Sequence, residues 1–188
     1  MRVASEFETL LEGMRKAAGI LRDSGIPFAL AGGLASYARG GPQSDHDVDF
    51  FLKREDAARA LDLLGDAGFR CEKPPEGWLY KVYDDKGAMI DLIFAPNHGE
   101  VTDELLSHAE TIEVYAIELP VLSASDVLIT KLRALKEHEI DYEPVMEMAR
   151  SLREQIDWDY VHEQTADSPY AKAFFTLVEE LGIAPRAA

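Results

Sequence analysis

The 188-residue chain holds one cysteine, Cys71, which excludes a disulfide framework and a multi-cysteine zinc site. It fits a reducing, cytoplasmic setting. No apolar run approaches the roughly 18–20 residues that span a bilayer. The opening segment is charged throughout and reads as no signal peptide, so no membrane association is expected. Internal repeats and low-complexity stretches are missing too. Basic residues are scarce: 19 Lys and Arg face 35 Asp and Glu, for a net charge of −16. The imbalance is uneven, with 9 basic and 11 acidic side chains in residues 1–70 and 10 against 24 in residues 71–188. A polyanion such as DNA is repelled by the second part. Nucleic-acid contact would have to use the near-neutral first part, where Arg39, Lys53 and Arg54 lie.

What is present is an ordinary globular pattern, 47% hydrophobic and 29% charged, long enough to bury a core. The S-x-x-E spacing of Ser5–Glu8 predicts a helix start, with Phe7, Leu10, Leu11, Met14, Ala18 and Leu21 on one face. A short buried strand, Phe28–Ala31, runs into Gly32-Gly33 and a short helix over Leu34–Arg39. Asp47–Leu52 reads as a strand. Glu55–Ala67 reads as a helix with Ala58, Leu61 and Leu64 inward. Trp78–Tyr83 and Ala88–Phe94 are strand-like and flank a hairpin turn at residues 84–87. Thr111–Leu119 reads as strand, either one or two short ones. Helices are predicted over Val127–Lys136, Glu143–Gln155 and Tyr170–Leu181. The order is mixed α/β followed by helices alone, hence an α+β fold: a mixed sheet flanked by helices over residues 1–122, with a helical C-terminal part over residues 123–188 of the same compact unit.

Chemistry concentrates in residues 31–52. Residues two apart on a strand share a face, so Asp47 and Asp49 project together. Two such carboxylates repel unless a cation lies between them or one is protonated. Paired glycines opening a helix let a polyphosphate approach the backbone. Asp91 sits in the otherwise apolar run Met89-Ile90-Asp91-Leu92-Ile93-Phe94, where a bare charge costs several kcal/mol and so requires a partner. It is the expected third carboxylate of a two-metal site. Lys131 falls on the apolar face of its helix, near Val127, Leu128, Ala134 and Leu135. It either snorkels to water or reaches into a cleft and offsets triphosphate charge. Lys81, on the strand before Asp91, is the second such lysine. Ser36 either binds phosphate or caps its own short helix. The histidines show no metal-ligand spacing, and Trp158 and Tyr160 read as core or lid.

These residues resemble the signature of the DNA polymerase β-like nucleotidyltransferase superfamily: a Gly-Gly or Gly-Ser turn, about a dozen residues, then Asp-hydrophobe-Asp. Here 13 residues separate Gly33 from Asp47, and the resemblance covers residues 27–94. Two branches are similar. Small antibiotic nucleotidyltransferases, acting on aminoglycosides and lincosamides, share the Gly-Gly turn, an Arg like Arg39 and a His like His46. AbiE/MenT-like nucleotidyltransferase toxins share the acidic pair and a later helix with a lysine like Lys131. The chain also departs from both. Ser36-Tyr37 stand where the antibiotic enzymes carry an Asp, and Ser44-Asp45 where they carry Thr-Arg. Asp45 stands where the toxins carry Ser or Thr. Asp141 is the nearest match to the toxins' closing acidic motif.

The resemblance implies a Mg²⁺- or Mn²⁺-dependent enzyme moving a nucleoside monophosphate from a nucleoside triphosphate to an acceptor hydroxyl, with pyrophosphate released. Asp47, Asp49 and Asp91 would hold metal and carry catalysis, Asp91 also as base. Gly32, Gly33, Ser36, Arg39 and Lys131 would bind the nucleotide. The acceptor is a small molecule in one branch and an RNA end in the other, the latter with an antitoxin as partner. The alternative is a non-catalytic nucleotide- or partner-binding module on the same fold, against which three intact carboxylates argue.

Overall fold

The computed structural model describes residues 6–43, 47–97 and 99–185. Ser5 of the expected capping box and Ser44, Asp45 and His46 lie outside the described residues. A seven-stranded mixed sheet forms the frame, in the order β3-β4-β5-β2-β1-β7-β6. Its strands are β1 (Phe28–Ala31), β2 (Val48–Leu52), β3 (Arg70–Glu72), β4 (Leu79–Tyr83), β5 (Met89–Ile93), β6 (Glu110–Val114) and β7 (Ile117–Val121). The helices are α1 (Glu6–Asp23), α2 (Gly32–Ala38), α3 (Arg54–Asp66), α4 (Asp103–Ser107), α5 (Ala124–Ala134), α6 (Glu143–Leu152), α7 (Trp158–Thr165) and α8 (Pro169–Glu180). The α+β class and the helical C-terminal part stand. The helix α7 has no counterpart in the sequence reading.

One face of the sheet is sealed by α1 and α3. Leu10, Leu11, Met14, Ala18 and Leu21 of α1 are buried as their spacing predicts. Burying each large apolar side chain contributes about 1.5–3 kcal/mol. Gly13 is the closest approach, since a Cβ there would come within 2.6 Å of the Ala88 Cβ and 3.7 Å of Ile90 Cδ1. Val48, Phe50, Ile90 and Leu92 are buried on alternate positions of β2 and β5, and Phe50 packs edge-on to Phe28 with ring centres 5.2 Å apart. In α3 the inward set is Ala57, Ala60, Leu61 and Leu64. Ala58, expected inward, is exposed, because the buried face follows Ala57 and Ala60, each four residues before Leu61 and Leu64 respectively.

The β4–β5 hairpin is held by its turn. Asp84 is buried, and its Oδ1 accepts hydrogen bonds from the Lys86 and Ala88 amides, each at 2.9 Å. Gly87 supplies a positive φ of 91°. Of the two readings of Thr111–Leu119, the structure takes the pair of short strands, the hairpin β6–β7, turned by Tyr115 and Ala116 at φ of 50° and 60°. Ser123 caps α5 and accepts from the Asp126 amide. Helix α5 then packs against α2, α6, α7 and α8.

Candidate active site

Strand register builds the site. Ala31 of β1 pairs with Asp49 of β2, Asp49 with Asp91 of β5, and Asp91 with Lys81 of β4. Residues in register across neighbouring strands share a face, so one row across the sheet reads Lys81, Asp91, Asp49, Ala31. This face is opposite the one sealed by α1 and α3. Asp47 stands just ahead of β2, and each of the three acids offers a carboxylate oxygen within 4.8 Å of the others. The juxtaposition expected of Asp47, Asp49 and Asp91 is therefore realised.

Gly32 and Gly33 open α2 directly after β1. Gly32 has φ of 59°, and a Cβ there would lie 1.7 Å from Asp49 Oδ2. Glycine is needed on both counts: the backbone conformation disfavours a side chain, and Asp49 fills the space. A cavity of about 270 Å³ lies over this turn, bordered by Gly32, Gly33, Asp47, Asp49, Thr130 and Lys131, with Phe51, Trp78, Ile93 and Pro96 as an apolar wall. Lys131 thus belongs to the cleft.

The electrostatics follow from crowding. Burial pushes the Asp49 carboxyl up to about 7, helped by the charges of Asp47 and Asp91 and opposed by those of Lys131 and Lys81. Burial also raises Asp91, against the hydrogen bond and charge of Lys81. Asp91 is 5% exposed, and Lys81 Nζ donates to both its oxygens, at 2.9 and 2.8 Å. Burial works against the Lys81 ammonium, yet the Asp91 hydrogen bond and charge hold its pKa above the usual value. Lys81 is therefore engaged with Asp91, whereas Lys131 borders the cavity. Clustered carboxylate oxygens suit a hard divalent cation such as Mg²⁺ or Mn²⁺, and such an ion would offset both the burial of Asp49 and the charges of Asp47 and Asp91 that add to it.

Two expected nucleotide-binding residues sit elsewhere. Arg39 turns away from the cleft and pins α2 to the end of β7. It donates from Nε to the Leu122 carbonyl at 2.6 Å, from Nη2 to the Val121 carbonyl at 3.0 Å, and from Nη1 to Glu110 at 2.9 Å. Its side chain is 7% exposed. Ser36 is buried in α2, and among the described residues its Oγ has no hydrogen-bond partner. It faces Gly41, where a Cβ would fall 2.2 Å from Ser36 Oγ, and it caps nothing, since Ala31 holds the N-cap position. Asp141 accepts from the Glu143 amide at 3.0 Å and starts α6.

The apolar wall escapes the sequence reading. Phe51 and Ile93 carry the signal, standing two residues beyond Asp49 and Asp91 and hence on the same face. Trp78 stands one residue before β4, and its carbonyl accepts from the Phe94 and Ala95 amides, both at 3.1 Å. Arg54 lies over the Phe94 ring at 4.6 Å and holds Glu100 at 2.6 Å, fastening the segment that carries Pro96.

A second cavity of about 360 Å³ borders another part of α5, between Glu100, Glu104, His108, Asp126, Tyr160 and Gln164. Asp126 is buried there, 3.1 Å from His108 Nδ1, and accepts from Ser123 Oγ and, at 3.3 Å, from the Tyr160 hydroxyl. Burial, with the Asp126 charge behind it, pushes the Tyr160 phenol up to about 12. Trp158 packs edge-on to Phe175, as a core residue does.

Among solved structures, the fold is similar to that of ANT(2'')-Ia in complex with adenylyl-2''-tobramycin, at TM-score 0.60 and 16% identity over 88% of this chain and 99% of that one. The solution structure of the same antibiotic-resistance factor gives TM-score 0.63 and 12% identity over 93% and 97%. The lincomycin-bound lincosamide antibiotic adenylyltransferase LnuA gives TM-score 0.51 and 12% identity over 73% and 94%. At such identities the likeness is one of fold. No curated protein matches the chain by sequence. A family model described as an uncharacterised nucleotidyltransferase matches residues 4–180, nearly the whole chain, and the chain belongs to that nucleotidyltransferase family.

Proposed function

We propose that the protein transfers a nucleoside monophosphate from a nucleoside triphosphate to a hydroxyl of a small molecule, with a divalent cation held at Asp47 and Asp49. The observation that carries this reading is the cluster of three carboxylates within 4.8 Å beside the Gly32-Gly33 turn and Lys131. When bound, Mg²⁺ or Mn²⁺ supplies charge stabilisation at the phosphoryl oxygens. Gly32 and Gly33 leave the backbone bare for the triphosphate, and the Lys131 ammonium offsets its charge. Trp78 and Phe51 offer apolar surface to the base or the acceptor. The acceptor oxygen attacks the α-phosphorus in line, the bond to the bridging oxygen breaks, and pyrophosphate leaves. The hydroxyl proton passes to Asp91, whose burial raises its proton affinity above the usual carboxylate range.

The three basic residues that flank the acidic pair in sequence, Arg39, Lys53 and Arg54, favour a small acceptor over an RNA end. Lys53 is paired with Glu55 at 2.9 Å and Asp103 at 3.0 Å, Arg54 with Glu100 at 2.6 Å, and Arg39 with Glu110. None of the three is left to meet a phosphate backbone. With an RNA end set aside, the reading calls for no antitoxin partner.

The test is incubation with α-labelled nucleoside triphosphates, Mg²⁺, and either total RNA or a panel of small hydroxyl compounds. Label on a small compound, lost on chelation, is expected, and label on RNA overturns the acceptor assignment. Asp91→Asn then keeps triphosphate affinity and loses at least about a hundredfold in single-turnover transfer, the low end for a positioned base. Unchanged transfer removes Asp91 from the chemistry.

A further inference from the structure

Two metals are the expectation drawn from three carboxylates, but the protein already places a cation on one of them. Lys81 stands in register opposite Asp91 across the antiparallel β4–β5 pair. Its ammonium donates to both Asp91 oxygens, at 2.9 and 2.8 Å. The Asp91 side chain is 7% exposed and that of Lys81 25%, so the pair is largely withdrawn from water, where such a contact is only weakly screened. The cavity that borders Asp47 and Asp49 does not border Asp91 or Lys81. The cavity thus meets two carboxylates directly, while the third, with an oxygen within 4.8 Å of both, already carries an ammonium.

We propose that Lys81 is a built-in cation that takes the place of a second metal ion on Asp91, so that the protein binds one divalent ion, at Asp47 and Asp49, and keeps Asp91 metal-free for the acceptor proton. This rests on the metal-dependent reading above. Lys81 is a positioning residue: it fixes the carboxylate of Asp91 in the row beside Asp49 and excludes a competing ion by charge and by occupancy. The device is local to the sheet. The hairpin turn at Asp84 sets the register, the register sets Lys81 against Asp91, and the parallel β2–β5 pair sets Asp91 against Asp49.

The experiment counts Mn²⁺ ions bound per chain, by electron paramagnetic resonance titration with Mn²⁺ alone, in wild type, Lys81→Met and Lys81→Arg. Thermal melts establish that each is folded, and Lys81→Gln replaces Lys81→Met if that variant does not fold. One ion in wild type and in Lys81→Arg, and two in Lys81→Met, is the expected result. Mn²⁺ should also raise the melting temperature of Lys81→Met by more than that of wild type, because the ion then supplies the charge Asp91 has lost. Two ions in wild type overturn the role of Lys81 and leave the metal-dependent reading standing. One ion in both wild type and Lys81→Met reduces the pair to a structural contact. No ion in wild type or in any variant overturns the metal reading, and with it the role of Lys81.

Discussion

The carboxylate of Asp49 occupies the space that any side chain at position 32 would need: a Cβ on Gly32 would fall 1.7 Å from Asp49 Oδ2 and 2.8 Å from Cγ. The turn that opens α2 and the acid at the centre of the cluster are thus one device, and no side chain fits at position 32 while Asp49 keeps its place.

Gly32→Ala should accordingly disable the site before it unfolds the chain. The left-handed backbone costs an alanine on the order of 1 kcal/mol, and the clash drives Asp49 out of its row. Mn²⁺ affinity should drop at least tenfold while the melting temperature falls by only a few degrees. Unchanged Mn²⁺ affinity would show that Asp49 is not held against the turn.

Stability without metal should depend on pH through Asp49. Its carboxyl is raised to about 7 in the folded chain, against about 3.9 for an unfolded Asp. Between these values the unfolded state releases the proton first, so the contribution to stability is full below pH 4 and is lost as pH rises through 7. The difference between wild type and Asp49→Asn isolates it. In chelator, the variant should gain on wild type as pH rises from 4 to 7, and Asp47→Asn with Asp49→Asn should melt higher than wild type at pH 8. Added Mg²⁺ should raise the wild type and leave the double variant unmoved, since binding to the native state alone stabilises by mass action. Parallel melting curves for all three proteins would sink the cation site.

Lys131→Ala should weaken triphosphate binding more than folding. The side chain borders the cavity and its charge lowers the proton affinity of Asp49. A charge-assisted contact with phosphate is worth about 1.5–3 kcal/mol, roughly tenfold to a hundredfold in affinity. Calorimetric titration with unaltered affinity would return Lys131 to a surface role.

Arg39→Met should do the reverse. Removing the guanidinium strands the carbonyls of Val121 and Leu122 at a cost of about 1–3 kcal/mol each. The melting temperature should fall by several degrees with triphosphate affinity unchanged. A loss of affinity in a variant that still melts like wild type would put Arg39 back at the nucleotide.

Much of the site is legible along the chain because its rules are local. Strand periodicity puts Asp47 and Asp49 together, an acid in an apolar run marks Asp91, and helical spacing puts Lys131 on the packed face of α5. Arg39 follows no local rule. Its partners lie 82 and 83 residues away, and they meet it only because β7 runs parallel to β1. Ser36 is buried for a similar reason, as the chain folds back over it at Gly41.

Lys81 marks the boundary most clearly. The sequence by itself determines that two strands flank a turn near residues 84–87, but taking their ends at Tyr83 and Ala88 would set Lys81 opposite Ile90, on the sealed face. The actual register pairs Tyr83 with Met89 and Lys81 with Asp91. A one-residue slip sends a side chain to the other side of a sheet. What settles it is the buried Asp84 carboxylate, which accepts from the Lys86 and Ala88 amides and adds one residue to the loop. The acids were determined by the sequence. Which of them already holds a cation was decided by the tertiary structure, because hairpin register depends on a side chain folding back onto its own turn.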